Sequence, residues 1–179
     1  MDLKHKNQRV AVFIDVANMY YSAKNLYGGY VNFGSVLTTA VAGRQLIRAF
    51  AYVIKAEIEA EKKFFEALER FGFEIRSKDL QIFPGGMKKG DWDVGLAIDA
   101  VILSEKVDVI VLVTGDGDYI PLVEYLKANK GCKLEVFAFG RTTSGKLIEA
   151  ADEFTDLESS PEKFLIFQRE RKVRHASTP

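Results

Sequence analysis

The sequence predicts an α/β fold, with helices packed around a mainly parallel sheet. Three observations predict it. Apolar, β-branched runs alternate with segments of helical period along the whole chain. Val10–Ile14 and Val107–Thr114 read as buried strands. Glycines and capping residues mark most of the changes from one period to the other. A βαβα rhythm of this kind builds a sandwich on a parallel sheet.

Each element follows from local chemistry. Val10–Ile14 forms the first strand and delivers Asp15 at its end. Asn18–Tyr27 is a helix closed by Gly28-Gly29. Asn32 caps a second helix, Phe33–Ala42, which Gly43 ends. Leu46–Ile54 is a strand. Glu57–Phe71 sets Ile58, Phe64, Phe65 and Leu68 on one side of a helix, with Gly72 as the stop. Phe73–Arg76 is a short strand, and Lys78–Phe83 extends it or forms a hairpin partner. Pro84-Gly85-Gly86 is a loop. The helix from Asp91 or Asp93 to about Ser104 is apolar almost all round, which predicts deep burial. After Val107–Thr114 come a helix over Tyr119–Asn129, a strand over Leu134–Phe139, a short helix over Ser144–Ala151 and a last strand over Phe154–Leu157.

A chain of 179 residues can bury a substantial core. No repeat or linker interrupts it before about residue 158, so residues 1–158 are expected to form one domain. Ser159-Ser160-Pro161 marks a composition change, and residues 159–179 form a basic C-terminal segment. Within it Phe164-Leu165-Ile166-Phe167 is expected to dock as a helix. Arg169, Arg171, Lys172 and Arg174 read as a solvated tail or, more sharply, as a nucleic-acid contact. The chain carries 25 basic and 25 acidic residues. Zero formal charge predicts no polyanion partner, although local fields can outweigh the sum. Cys132 is the only cysteine, which excludes an intrachain disulfide and reads as a structural thiol. Two histidines, His5 and His175, make no zinc pattern. No signal peptide or membrane span is visible, so the expected compartment is the cytoplasm.

The chemistry lies in three acidic segments. Asp15 follows Val12-Phe13-Ile14, and Asn18 comes one helical turn later. Asn18 is placed to orient Asp15 or to hold a phosphate; either residue could instead only cap the helix. Thr114-Gly115-Asp116-Gly117-Asp118 follows the strongest strand. Its glycines permit a sharp turn and close approach to a ligand, and Thr114 can bond nearby groups. Asp118 could serve as a cap. In Lys88-Lys89-Gly90-Asp91-Trp92-Asp93, both Asp91 and Asp93 suit a helix N-terminus. Asp99 points about 120° away from Asp93 on that helix and reads as a supporting or structural acid. Strand ends of a parallel sheet meet in one crevice. Carboxylates gathered there repel each other and call for a cation, and all-oxygen ligands suit Mg²⁺ or Mn²⁺. Lys89, Arg141 and Lys146 are candidates for phosphate contacts, and Tyr20, Tyr21 and Trp92 for base stacking. Surface cations are more often simply solvated, and aromatics more often pack.

Together, Phe-Ile-Asp15-x-x-Asn18, Lys-Gly-x-x-Asp93-Val-x-Leu-Ala-Ile-Asp99 and Thr-Gly-Asp116-Gly-Asp118-Tyr-x-Pro-Leu resemble the NYN domains of the PIN-like nuclease superfamily, in particular the LabA-like subgroup. The resemblance runs from about Val10 to Leu157. It implies a three-layer α/β/α sandwich of PIN-like type and Mg²⁺- or Mn²⁺-dependent ribonuclease chemistry. The implied partner is single-stranded or structured RNA, and a homodimer is possible. Asp15, Asp93, Asp116 and Asp118 carry over as the acidic metal site, with Asn18 in support; Asp91 is an extra acid beside the matched position. On general grounds a bound cation would activate water for in-line attack on phosphorus, so no His, Lys or Ser nucleophile is needed. A haloacid-dehalogenase-like phosphatase is excluded, because its second acid would fall at Ala17. The alternatives to an enzyme are an RNA- or protein-binding regulatory module that keeps the acidic pocket with little turnover, and a purely structural oligomer.

Overall fold

The computed structural model describes residues 4–55, 59–82, 84 and 88–167, without the side chains of residues 59–61, 82, 88 and 89. The basic residues at 169–174, His175, the start of the third helix at 57–58 and the Gly85-Gly86 loop therefore lie outside the described residues, as does the side chain of Lys89.

The chain opens with β1 (Arg9–Asp15), α1 (Val16–Tyr27), the short β2 (Tyr30–Val31), α2 (Phe33–Val41), β3 (Gln45–Lys55), α3 (Glu59–Phe71) and β4 (Glu74–Asp79). A two-residue pair, β5 (Gln81–Ile82) and β6 (Lys88–Lys89), leads into α4 (Asp93–Leu103). Then follow β7 (Val109–Val113), α5 (Ile120–Lys130), β8 (Lys133–Ala138), α6 (Gly145–Ala150), β9 (Glu153–Asp156), α7 (Pro161–Phe164) and β10 (Leu165–Ile166). The caps at Asn32 and Gly28 are those expected, whereas Ala42 and not Gly43 is the left-handed cap that closes α2. Asn32 accepts the Ser35 N–H at the start of α2, and Gly28 closes α1 in the left-handed region at φ 61°. That conformation costs glycine nothing.

Six strands form the central sheet in the order β4-β3-β1-β7-β8-β9, and every neighbouring pair is parallel. Side chains alternate between two buried layers. Val10, Val12 and Ile14 pack with Met19, Ala23, Val36 and Leu68 from α1–α3. Ala11 and Phe13 face Leu96, Ala100, Leu122, Leu126 and Leu147 from α4–α6. This is the three-layer α/β/α sandwich. β1 is central, and the chain winds outward from it first one way and then the other. The reversal lies between β1 and β7, and in open parallel sheets ligands bind outside the carboxyl ends of the strands at such a point.

Three expectations change. Lys78–Phe83 divides: Lys78 and Asp79 extend β4, Gln81–Ile82 pairs antiparallel with Lys88–Lys89 and not with β4, and Phe83 lies outside the described residues. α4 is not buried all round. Val94, Ile98 and Ile102 are 71%, 52% and 62% exposed, four residues apart on one outward face. Composition alone could not tell a central helix from an outer helix with an apolar outer stripe. The 164–167 segment docks, but only one helical turn forms before Leu165 pairs with Val31 of β2. Phe164 and Leu165 are buried there. Among the described residues no helix is long and apolar enough to cross a membrane.

Candidate functional site

Asp15 ends β1 and caps α1. Its Oδ1 accepts the Asn18 N–H at 3.0 Å, so the carboxylate is held at the mouth of the crevice. The Asn18 side chain turns across to β7, where its Oδ1 accepts the Gly115 N–H at 2.9 Å. Asn18 thus ties the two central strand ends together, a positioning role besides the orienting of Asp15.

The loop after β7 is built by close packing. Thr114 is fully buried, and its Oγ1 accepts the Asp116 N–H at 3.2 Å. Asp116 in turn accepts the Asp118 N–H at 2.9 Å and caps the 3₁₀ turn Gly117–Tyr119 that enters α5. The glycines serve a purpose other than the expected turn, since neither has positive φ. A Cβ on Gly115 would lie 2.9 Å from Thr143 Oγ1, and one on Gly117 would lie 3.0 Å from Ser144 Oγ. They admit the 142–144 loop, whose Ser144 N–H donates to the Gly115 carbonyl at 2.9 Å.

Asp93 opens α4 on the facing side. Asp93, Asp116 and Asp118 each offer a carboxylate oxygen, and these oxygens all lie within 4.8 Å of one another. Such a set could hold a metal ion. Asp15 lies outside the trio and feels the charges of Asp93 and Asp116. Burial, chiefly, together with those charges pushes its pKa up to about 6, against the lowering effect of its backbone hydrogen bonds. Burial and the neighbouring acids also raise Asp93, although a hydrogen bond from Tyr119 opposes this. Among the described residues no lysine or arginine pairs with any of the four. Like charges are therefore concentrated where only a cation would relieve them.

The remaining candidates separate. Asp91 is exposed and outside the trio, though its charge reaches Asp93. Asp99 accepts from the Tyr52 hydroxyl at 2.8 Å and lies 3.4 Å from Arg76. It belongs to a cluster on the β3–β4 side. Arg141 is bonded through Nε and its backbone N–H to Glu158 and lies over the Tyr27 ring. Lys146 is exposed on α6, with no ion pair among the described residues. Tyr20 and Tyr21 pack edge to face on each other, with Tyr21 62% exposed. Trp92 is half-buried against Tyr52.

One residue of the site escaped sequence reasoning. Tyr119 is buried, and its hydroxyl donates to Asp93 Oδ1 at 3.0 Å. Burial, then the charges of Asp15 and Asp93, raise its pKa, so it stays a neutral donor. Its place directly after Asp118 was the available signal, but only the 3₁₀ turn shows that its ring points inward.

The chain is an α/β sandwich with an acidic crevice, and it belongs to the NYN domain family, which it matches over residues 9–158. It is similar to the low amplitude and bright protein LabA of Synechococcus elongatus, with 30% identity over 158 residues and 83% of each chain covered. It is also similar to a crystal structure of a protein of unknown function from Vibrio parahaemolyticus. There the identity is 32% and the TM-score 0.83, across 93% of this chain and all of the other.

Proposed function

We propose that the protein is a metal-dependent ribonuclease that hydrolyses RNA phosphodiester bonds at Asp15, Asp93, Asp116 and Asp118. One observation carries the reading: three carboxylate oxygens from α4 and the β7 loop lie within 4.8 Å of one another, with no basic partner among the described residues. An all-carboxylate donor set favours a hard divalent ion, Mg²⁺ or Mn²⁺. When bound, such an ion lowers the pKa of a water and polarises a phosphoryl oxygen.

The chain's own residues supply the rest. Asp93, Asp116 and Asp118 would hold the ion. Asp15, half-buried and adjacent, would complete the negative field and accept a proton as water is activated; its pKa of about 6 leaves it mostly ionised at neutral pH. Asn18, Thr114 and Tyr119 keep the carboxylates in place. Lys146 is the freer of the two cations on the α6 side, since Arg141 is engaged by Glu158.

The deciding experiment incubates the full chain with fluorescent single-stranded RNA and Mn²⁺, beside Asp116→Asn. Cleavage by the wild type alone, abolished by chelation, is the expected result. A raised melting temperature in Mn²⁺ without cleavage of any of several RNAs would favour the regulatory module that keeps the acidic pocket.

A further inference from the structure

Beside the acidic crevice, the α4 side of the sheet carries an aromatic and cationic strip along its β3–β4 edge. The pairing register places it. Asp15 lies opposite Tyr52, Tyr52 opposite Arg76, and Ile54 opposite Lys78. Arg76 is therefore level with Asp15 two strands away, roughly 10 Å at ordinary strand spacing. Lys78 is two residues further toward the crevice, on the same face.

The cations on this strip differ. Arg48 is paired with Glu74, and Arg76 with Asp99; both guanidinium groups also lie over the Phe50 ring, at 4.6 and 5.0 Å. Lys78 has no carboxylate partner among the described residues. Its ammonium sits 4.6 Å from the centre of the Trp92 ring. Trp92 immediately precedes Asp93 and is held on three sides. Its indole N–H donates to the Val53 carbonyl at 2.8 Å, its ring meets Tyr52 edge-on at 5.4 Å, and a Cβ on Gly95 would lie 2.6 Å from it. A lysine seated over a fixed indole gains a cation–π attraction and has fewer positions to lose on binding than a freely solvated one.

We propose that Lys78, seated on Trp92, holds the substrate phosphate next to the one at the aspartate cluster, so that a single RNA strand passes over the β4 edge. The inference rests on the ribonuclease reading above. Its physical basis is charge. The carboxylates would repel a polyanion, and an ion in the crevice offsets that repulsion only at the phosphate it touches. The neighbouring phosphate needs its own cation, and on the α4 face of this flank Lys78 is the cation whose charge is not already matched among the described residues.

The test uses the full chain carrying Asp116→Asn, so that RNA is bound and not cut. Binding of a fluorescent single-stranded oligoribonucleotide is titrated over a range of salt concentrations. Adding Lys78→Ala should weaken binding by about tenfold. It should also reduce the slope of log affinity against log salt by about 0.7, the share of one phosphate contact on a single strand. Lys78→Arg should restore the slope. In the cleaving background Lys78→Ala should raise KM and leave kcat nearly unchanged. RNA binding with an unaltered slope in Lys78→Ala overturns this inference and leaves the ribonuclease reading intact. Absence of RNA binding and cleavage by the wild type overturns both.

Discussion

The two ends of the central sheet treat acidic residues in opposite ways. At the amino end, Glu135 of β8 is completely buried and is gripped by Arg44 through two hydrogen bonds of 2.8 and 2.9 Å. Lys4 and Lys133 add contacts at 3.4 and 3.3 Å. Nearby, burial works to raise Glu153, but Lys4 and Lys133 outweigh it and hold the group below its ordinary range. At the carboxyl end, Asp15 is pushed upward and has no cation among the described residues. The same sheet thus neutralises acids where they serve the fold and leaves them uncompensated at the proposed site. A buried acid matched by bases is architecture, whereas several acids without bases mark a site.

The comparison breaks most visibly at Arg44. Replacing it with Ala strands a buried carboxylate and also removes a hydrogen bond to the Ala40 carbonyl. The expected loss is about 3 kcal/mol, the low end for breaking a buried pair, because Lys4 and Lys133 remain. Urea unfolding measures it. A loss below about 1 kcal/mol would mean that the amino-end pair is not structural after all.

The opposite sign is expected at the other end. The folded chain binds the Asp15 proton more tightly than the unfolded chain does, with a pKa of about 6 against 3.8. Stability from that proton is complete below about pH 4 and falls as pH rises through 6. At neutral pH the half-buried charge costs on the order of 3 kcal/mol. Asp15→Asn in metal-free buffer should therefore be more stable than the wild type at pH 7.5, with the gap closing below pH 4. Mn²⁺ held by Asp93, Asp116 and Asp118 should narrow the gap, since a bound cation offsets the Asp15 charge in the folded form. Chemical unfolding across pH, with and without the ion, would show both. An equally stable metal-free variant would contradict the claim of an uncompensated charge.

Much of this contrast could be read in the sequence, for a physical reason. Strand ends are local: a short apolar run that stops at Asp15 or Thr114 already says where a carboxylate emerges, and parallel strands send their ends to one side. Partners are not local. Arg141 was a fair candidate for phosphate until Glu158, brought alongside by β9, engaged it. Lys78 carries no signal in the sequence, because its seat on Trp92 depends on the β3–β4 register. The outward stripe of α4 reads in sequence as a buried face, since a helical period reports which side chains align and not what covers them. Gly115 and Gly117 stand out in the sequence, but the reason for them is the neighbouring loop and not the turn.

The smallest expected effect sharpens the contrast from within the acidic end. Asp93 has one neutral donor, the Tyr119 hydroxyl, where Glu135 has cations. A phenol can orient a carboxylate without neutralising it, so Asp93 keeps its charge available for an ion. Because burial and nearby acids raise the pKa of Tyr119, that donor persists throughout the physiological range. Tyr119→Phe keeps the ring in its buried place and removes only the hydroxyl. Stability should change by about 1 kcal/mol. Mn²⁺ affinity, read by calorimetry, should fall about tenfold, as when a partner that orients a metal ligand is lost. Unchanged affinity would show that Asp93 is oriented by its position on α4 alone. A fall in affinity with the Asp15→Asn stability pattern preserved would separate the group that aims the carboxylates from the one that supplies their excess charge.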